Sequence, residues 1–290
     1  MNDHSLMDFS APSRVAPQYL KATGVAVAVQ GKTLLHPLSA SFAAGQVTAI
    51  LGPNGAGKST LMSVLTGQRQ PGAGQVELNG QPWRCFEPTE LAKLRAFVAQ
   101  ESAVAFDFSV REVVELGRYP HRKEVSRSEI DISTQAMQAS AVEHLADRPI
   151  NTLSGGEKAR VHLARALAQV WEARPKGDAR WLLLDEPTAA LDLEHQHRVL
   201  RLARQWAQSH GVGVVAVLHD LNLALRYSDR CVVLQRGQLV ADGVTAKVLT
   251  PERIASVWGV VAQPVVLAKT SQTAAPSCQI QYVFEAASSS

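Results

Sequence analysis

Cysteine is scarce in this chain of 290 residues, which has three, at positions 85, 231 and 278. They stand far apart, with no CxxC pair and no histidine at metal-ligand spacing. This pattern argues against a disulfide scaffold and against a cysteine-based metal site. We expect reduced thiols, as in a cytosolic protein.

Long hydrophobic runs and a basic leader are also missing. No apolar run approaches the roughly 20 residues that span a bilayer. The N-terminal stretch MNDHSLMDFSAPSR has no basic patch followed by an apolar core, so we expect no signal peptide. Any role at a membrane is therefore expected to depend on a partner.

Neither sign of charge is in large excess, because the chain has 29 Lys and Arg and 26 Asp and Glu, which gives a net charge of +3. Without a dense Lys/Arg block, no nucleic-acid partner is expected. Hydrophobic residues make up 46% of the chain, which suits a globular protein of one large or two small domains.

Short apolar runs alternate with helical patterns along most of the chain. The runs at 47–51, 181–184 and 212–218 read as buried strands, and residues 101–170 read as mostly helical. This order predicts a parallel α/β core with a helical insertion. The polar N-terminal end, 1–18, is expected to be a flexible tail, and the C-terminal end, 268–290, is expected to be disordered.

The segment GPNGAGKST directly follows the first buried run and precedes a predicted helix. It fits the phosphate-loop pattern G-x-x-x-x-G-K-[ST], in which backbone N–H groups cradle phosphates. Lys58 is expected to reach the β and γ phosphates, and the Ser59 hydroxyl to ligate Mg²⁺. The expected nucleotide-binding residues are Gly52, Pro53, Asn54, Gly55, Ala56, Gly57, Lys58, Ser59 and Thr60.

The run RAFVAQ, 95–100, also reads as a strand, and polar side chains stand at its end and after the runs at 181–184 and 212–218. Asp185 is expected to hold Mg²⁺, and Glu186 to take a proton from attacking water, since parallel sheets bind ligands at their carboxyl ends. His219 is expected to orient water or contact the γ-phosphate, and Gln100 to touch Mg²⁺ or the water. Each has a structural alternative, namely solvated charge, a core histidine or a surface glutamine.

A second phosphate-binding pattern, LSGGEKAR, lies at 153–160. Ser154 and Glu157 have capping-box spacing and predict a helix through about Ala168; Ser109 and Glu112 share this spacing. Gly155 and Gly156 leave no side chain between the helix N-terminus and an approaching phosphate, which favours an anion site over a purely structural cap. The core positions expected on this helix are Val161, Ala164, Leu167 and Ala168.

These motifs, in this order, resemble those of the ATP-binding cassette (ABC) ATPases over roughly residues 20–250. The matching elements are the phosphate loop at 52–60, the glutamine loop at Gln100, the signature at 153–157, the acidic strand end at 182–186, the D-loop at 189–192 with Asp192, and the switch histidine His219. The resemblance gives catalytic roles to Glu186, His219 and Gln100, and metal binding to Ser59, Gln100 and Asp185.

The resemblance implies one cassette domain at 19–267. It would have a RecA-like parallel-sheet core, an N-terminal antiparallel β-subdomain and a helical subdomain at about 101–170. It also implies a head-to-tail homodimer that hydrolyses ATP with Mg²⁺. Each ATP would lie between the phosphate loop of one chain and the signature residues Ser154, Gly155, Gly156 and Glu157 of the other.

One position departs from the family pattern. ABC ATPases usually stack an aromatic side chain on adenine near the end of the first strand, where this chain has Val27. We therefore expect adenine to rest on an aliphatic surface, with tolerance of GTP.

The stretch at 108–121 resembles importer ATPases for iron siderophores, cobalamin and heme. Within these, the sequence after Gln100 and the connector at 168–181 are similar to those of bacterial hemin importer ATPases. The expected function is the ATPase of a hemin importer, with a ferric siderophore or cobalamin importer as the alternative. A soluble, non-transport ABC ATPase is disfavoured, because Lys58 and Ser154 are 96 positions apart, too close for a long coiled coil, and a second phosphate loop is absent.

The importer resemblance also implies partners. Two transmembrane permease subunits would contact the helical insertion, with Phe106, Phe108 and Tyr119 as candidates; core packing is the alternative for these aromatics. A periplasmic substrate-binding protein would act through the permease. The expected location is the cytoplasmic face of the bacterial inner membrane, as a peripheral subunit.

Overall fold

The computed structural model describes residues 18–100, 107–124, 129–189, 191–266 and 280–286. Several expectations fall wholly or partly outside these ranges. They are the flexible tail at 1–18 except residue 18, Phe106 as a permease contact, residue 190 of the D-loop, residues 101–106 and 125–128 of the helical subdomain, and the parts of the C-terminal tail at 268–279 and 287–290.

Strands and helices alternate along the described chain. The strands are β1 (Tyr19–Val29), β2 (Lys32–Ala43), β3 (Val47–Leu51), β4 (Ala73–Leu78), β5 (Gln81–Pro82), β6 (Arg95–Val98), β7 (Trp181–Asp185), β8 (Gly213–Val217), β9 (Arg230–Gln235), β10 (Gln238–Val244), β11 (Val260–Val266) and β12 (Ile280–Ala286). The α-helices are α1 (Lys58–Leu65), α2 (Pro88–Leu94), α3 (Val110–Glu115), α4 (Glu129–Ala139), α5 (Gly155–Gln169), α6 (Leu193–His210), α7 (Leu221–Tyr227), α8 (Thr245–Val248) and α9 (Pro251–Trp258).

A six-stranded sheet in the order β10-β9-β3-β8-β7-β6 forms the core. Its strands from β9 to β6 pair in parallel, and β10 joins β9 in antiparallel fashion. All five residues of β3 and all five of β8 are buried, because both faces of the sheet are covered. Strands covered on both faces read as continuous apolar runs, and the predicted parallel α/β core is confirmed.

Alternate residues of β3 enter different apolar layers. Val47, Ala49 and Leu51 join buried residues of the helices α3, α5 and α6. Ile50 points the other way, into a cluster with β1, β2 and α1. The sheet therefore separates a helical layer from a second β layer.

The second β layer is the expected antiparallel subdomain. Its order is β2-β1-β4-β5, with β1 antiparallel to both β2 and β4. Asn79 and Gly80, both at positive φ, make the tight turn from β4 to β5, and Asn-Gly is the pair that favours such a turn.

The helical insertion is built from α3, α4 and α5. Val113, Met137 and Leu167, one from each helix, are buried in the same apolar cluster. Within the described residues no helix is both long and apolar enough to cross a bilayer.

The expectation of a disordered C-terminal tail is wrong for residues 280–286. These residues form β12, which pairs antiparallel with β11 from Val260↔Ala286 to Val266↔Ile280. Tyr282 is 8% exposed, and its hydroxyl donates to the backbone O of Leu249 at 2.8 Å. The segment IQYVF contains β-favouring residues, and the pairing with β11 and this buried anchor hold it as a strand.

Candidate nucleotide site

The turn at 52–60 joins β3 to α1, and its backbone requires glycine at two positions. Gly52 has a φ of +148°, and a Cβ there would lie 2.2 Å from the carbonyl O of Leu234. Gly57, the N-cap of α1, has a φ of +100°, and a Cβ there would lie 2.8 Å from Cδ2 of Leu35. The turn thereby presents the positive end of α1, which suits a phosphate.

Lys58 folds back onto this turn. Its side chain is 5% exposed, and its Nζ donates to the backbone O of Gly52 at 2.8 Å and of Pro53 at 3.0 Å. Burial lowers the pKa of Lys58, although the charges of Glu186 and Asp185 act in the opposite direction. An anion in the turn would offer this buried ammonium a stronger partner than two carbonyls.

The ends of three neighbouring strands bring Glu186, His219 and Gln100 together. Gln100 follows β6 by two residues, Glu186 directly follows β7, and His219 follows β8 by two residues. Oε1 of Glu186 lies 2.7 Å from Nε2 of His219, and Oε2 accepts a hydrogen bond from Nε2 of Gln100 at 2.9 Å. Each oxygen of this carboxylate is thus held by a separate partner.

Glu186 also has an uncommon backbone. Its φ of +50° lies in the left-handed region, which is costly for a side chain other than glycine. Its side chain is only 15% exposed, so the carboxylate is largely covered by its neighbours. Such a conformation persists where surrounding contacts hold it, and such residues cluster at functional sites.

Asp185 lies beside this group with one oxygen that accepts no hydrogen bond from the described residues. That atom, Oδ1, is buried. Burial and then the charge of Glu186 raise the pKa of Asp185, while Lys58 and His219 oppose the rise. A buried carboxylate oxygen without a donor fits a hard cation such as Mg²⁺. The side chain of Ser59, in the first turn of α1, is exposed and supplies a hydroxyl of the same ligand class.

The signature helix α5 begins with the predicted capping box. Oγ of Ser154 accepts from the backbone N of Glu157 at 3.3 Å, and Oε2 of Glu157 accepts from the backbone N of Ser154 at 2.8 Å. The helix ends at Gln169, and its four expected core residues are buried. These are Val161, Ala164, Leu167 and Ala168.

Asp192 begins α6. Its Oδ1 accepts from the backbone N of His195 at 2.9 Å and lies 2.7 Å from Nδ1 of the same residue. The Asp192 side chain remains 69% exposed, and the next residue, Leu193, is 76% exposed. An exposed carboxylate and an exposed leucine thus stand side by side at the start of this helix.

A family model described as ABC transporter matches residues 35–189, which is more than half of the chain. This chain belongs to the ABC transporter family. As an ABC ATPase it hydrolyses ATP in a reaction coupled to transport, with Mg²⁺ as cofactor, as the motifs led us to expect.

The ABC relatives are similar over most of their length. A hemin import ATP-binding protein, HmuV, from Gloeobacter violaceus is 48% identical and covers 83% of this chain and 87% of its own. One from Escherichia coli O157:H7 is 44% identical and covers 83% of this chain and 92% of its own. The dimeric structure of a bacterial ABC transporter cassette, MJ0796, matches with a TM-score of 0.68 and 25% identity, over 78% of this chain and 98% of that one.

The expectation that this ABC cassette offers adenine an aliphatic surface at Val27 is wrong. Val27 is 3% exposed and belongs to the apolar cluster beneath β1. It lies on the same inward face of β1 as the buried Val25, so the pairing of β1 directs it away from solvent. The burial of Val27 therefore removes the reason for expecting this chain to accept GTP.

One residue beside the site was not singled out from the sequence. Asn222, in the first turn of α7, bonds through its side chain to the backbone of Tyr282. No local pattern signals a contact between residues 60 positions apart. The helix N-cap beside it is Asp220, whose side chain accepts from the backbone N of Asn222 and of Leu223.

Proposed function

We propose that this chain is the ATP-hydrolysing subunit of an importer whose cargo is hemin. The cargo rests on one observation, the shared name of the relatives, each of which is called a hemin import ATP-binding protein. The resemblance of 108–121 to importer ATPases supports the same branch of the family.

The turn at 52–60 is the proposed ATP site. Lys58 exchanges the carbonyls of Gly52 and Pro53 for the β and γ phosphates. Ser59, Gln100 and Asp185 are the residues that hold Mg²⁺, which when bound neutralises phosphate charge. The unpartnered buried oxygen of Asp185 is the observation that supports this assignment.

Glu186 is the proposed general base that takes a proton from the attacking water. His219 and Gln100 each hold one of its oxygens, and this fixes the direction in which the carboxylate faces. Gln100 reaches Glu186 at 2.9 Å, so its amide stands near both the base and the metal ligands.

The signature residues are proposed to serve a second copy of the chain. Ser154, Gly155, Gly156 and Glu157 would bind the γ-phosphate of ATP held by the other copy's phosphate loop. Within one chain, Gly155 lines a cavity of about 360 Å³ together with Asp185 and Glu186, and the described lining of that cavity includes no residue of 52–60. The exposed pair Asp192 and Leu193 would be covered in such a homodimer.

The remaining partners follow from the importer assignment. Two transmembrane permease subunits would dock on the helical insertion, where Tyr119 is 59% exposed and Phe108 is half-buried against the core. A periplasmic substrate-binding protein would deliver cargo through the permease. The subunit would be peripheral, on the cytoplasmic face of the bacterial inner membrane, and no nucleic acid is involved.

The identity of the cargo is tested by a transport assay in proteoliposomes. They contain this ATPase and the permease encoded beside it, and the matching binding protein is added on the side from which the permease takes up cargo. We expect ATP-dependent uptake of hemin. The matched control is Glu186→Gln, which binds ATP but lacks the base and should give no uptake. Uptake of cobalamin or a ferric siderophore, with no uptake of hemin, would contradict the assignment of hemin as the cargo. ATP hydrolysis by Glu186→Gln at the wild-type rate would contradict the assignment of Glu186 as the general base.

A further inference from the structure

The hairpin formed by β11 and β12 is attached to the helix that starts beside His219. Asn222 in α7 uses both ends of its side-chain amide for this attachment. Nδ2 donates to the backbone O of Tyr282 at 3.0 Å, and Oδ1 accepts from its backbone N at 2.8 Å. A side chain that satisfies both backbone groups of one strand residue takes the place of a neighbouring strand at that edge.

The same residue also holds the start of α7. The backbone N of Asn222 donates to Oδ1 of Asp220 at 2.7 Å. Asp220 is the next residue after His219, whose Nε2 lies 2.7 Å from Oε1 of Glu186. The hydrogen bonds of Asn222, the peptide link from Asp220 to His219 and the close contact of His219 with Glu186 therefore connect Tyr282 to Glu186.

One buried residue on each strand anchors the hairpin end of this series. Tyr282 is 8% exposed, and its hydroxyl donates to the backbone O of Leu249 at 2.8 Å. Ala262 of β11 is 5% exposed and belongs to the main apolar cluster. Val283, on the opposite face of β12, is 54% exposed. The buried residues Tyr282 and Ala262 thus give Asn222 a fixed point to hold.

We propose that Asn222 is a positioning residue for ATP hydrolysis, through which the docked C-terminal strand fixes His219 against Glu186. This inference rests on the roles proposed above for those two residues. His219 lies between β8 and α7, so its place depends on how the start of α7 is anchored. Because small displacements of a catalytic group cost rate, the anchor acts on turnover. ATP binding depends on 52–60, which lies on other elements.

The test begins with Asn222→Ala in the full chain. We expect kcat for ATP hydrolysis to fall about tenfold, because a displaced group loses its alignment, while the KM for ATP stays unchanged. The matched control is Gln263→Ala, which removes an amide from the same hairpin. Gln263 is exposed and bonds to Glu285 at 3.3 Å, so its loss should leave kcat at the wild-type value. An unchanged kcat in Asn222→Ala would overturn the proposal.

A double-mutant cycle with His219→Ala separates positioning from general destabilisation. In single-turnover assays, Asn222→Ala should cause no further loss once His219 is replaced, because both changes act on the same step. Additive losses would overturn the positioning role alone. A wild-type rate in His219→Ala would overturn the proposed function of that histidine as well. If Asn222→Ala does not fold, Asn222→Ser is judged by the same criteria.

Discussion

At the scale of single residues, the nucleotide site holds charges that folding disfavours. Burial lowers the pKa of Lys58 and raises that of Asp185, so in both cases the charged form is the one opposed. A ligand that brings both phosphate and a divalent cation relieves both groups. Neighbouring groups whose pKa values are shifted in this way are typical of a functional site.

The cost of the charge on Asp185 can be measured. The folded pKa lies above the ordinary value of 3.8, so the penalty is fully present above the folded pKa and disappears as the pH falls below 3.8. Asp185→Asn should therefore raise the thermal unfolding midpoint of the nucleotide-free chain at neutral pH. This gain should shrink as the pH is lowered, and the variant should gain less than the wild type from added Mg–ATP.

The control for this prediction is Asp147→Asn, because the Asp147 side chain is 94% exposed. It should shift the unfolding midpoint little at any pH. A lower midpoint for Asp185→Asn than for the wild type at neutral pH would show that the charge is stabilised in the folded chain.

Several individual residues could be predicted from the sequence, because their spacing already carries the chemistry. Lys58 at the end of a glycine-rich turn and Asp185 at a strand end are examples. Their partners could not be predicted. The carbonyls that Lys58 contacts depend on how its own turn folds. The inward direction of Val27 and the bond from Asn222 to Tyr282 depend on how distant elements pack.

At the scale of elements, two helices begin with nearly the same capping box. Oγ of Ser109 accepts from the backbone N of Glu112 at 3.3 Å, the distance found for Ser154 and Glu157. In both boxes, hydrogen bonds from the serine backbone and then its hydroxyl lower the pKa of the glutamate. The two caps therefore differ in sequence context and not in geometry.

Substitutions in these two capping boxes distinguish a cap that only stabilises its helix from a cap that also binds phosphate. Ser154→Ala and Ser109→Ala should each reduce the free energy of unfolding by about 1 kcal/mol, the usual contribution of an N-cap. Only Ser154→Ala should also lower kcat for ATP hydrolysis, as measured at saturating ATP. Equal kcat values in the two variants would mean that the signature box is structural.

Elements whose signal is local could be predicted from the sequence. The helix α5 and the turn at Asn79 follow from residues within a few positions of each other. The anchoring of β12 could not be predicted, because Tyr282 bonds to Leu249 and Asn222, which lie far back in the sequence. The link of the C-terminal strand to α7 is therefore visible only in the structure.

At the scale of the whole molecule, the two phosphate-binding elements are explained by two copies of the chain. The phosphate loop and the signature helix are each half of a site in the proposed head-to-tail homodimer. In this arrangement an isolated chain has no complete ATP site. A change in the phosphate loop should therefore abolish ATP binding, and a change in the signature should abolish hydrolysis without abolishing ATP binding.

Complementation between two inactive variants tests this central claim most directly. Lys58→Ala should abolish ATP binding at its own loop, and Ser154→Arg should block the signature while leaving ATP binding largely intact. Mixed dimers of the two contain one intact site. Random pairing should therefore restore hydrolysis to at most about a quarter of the wild-type rate, since half of the dimers are mixed and each has one of its two sites intact. A mixture that stays as inactive as either variant alone would contradict the composite site.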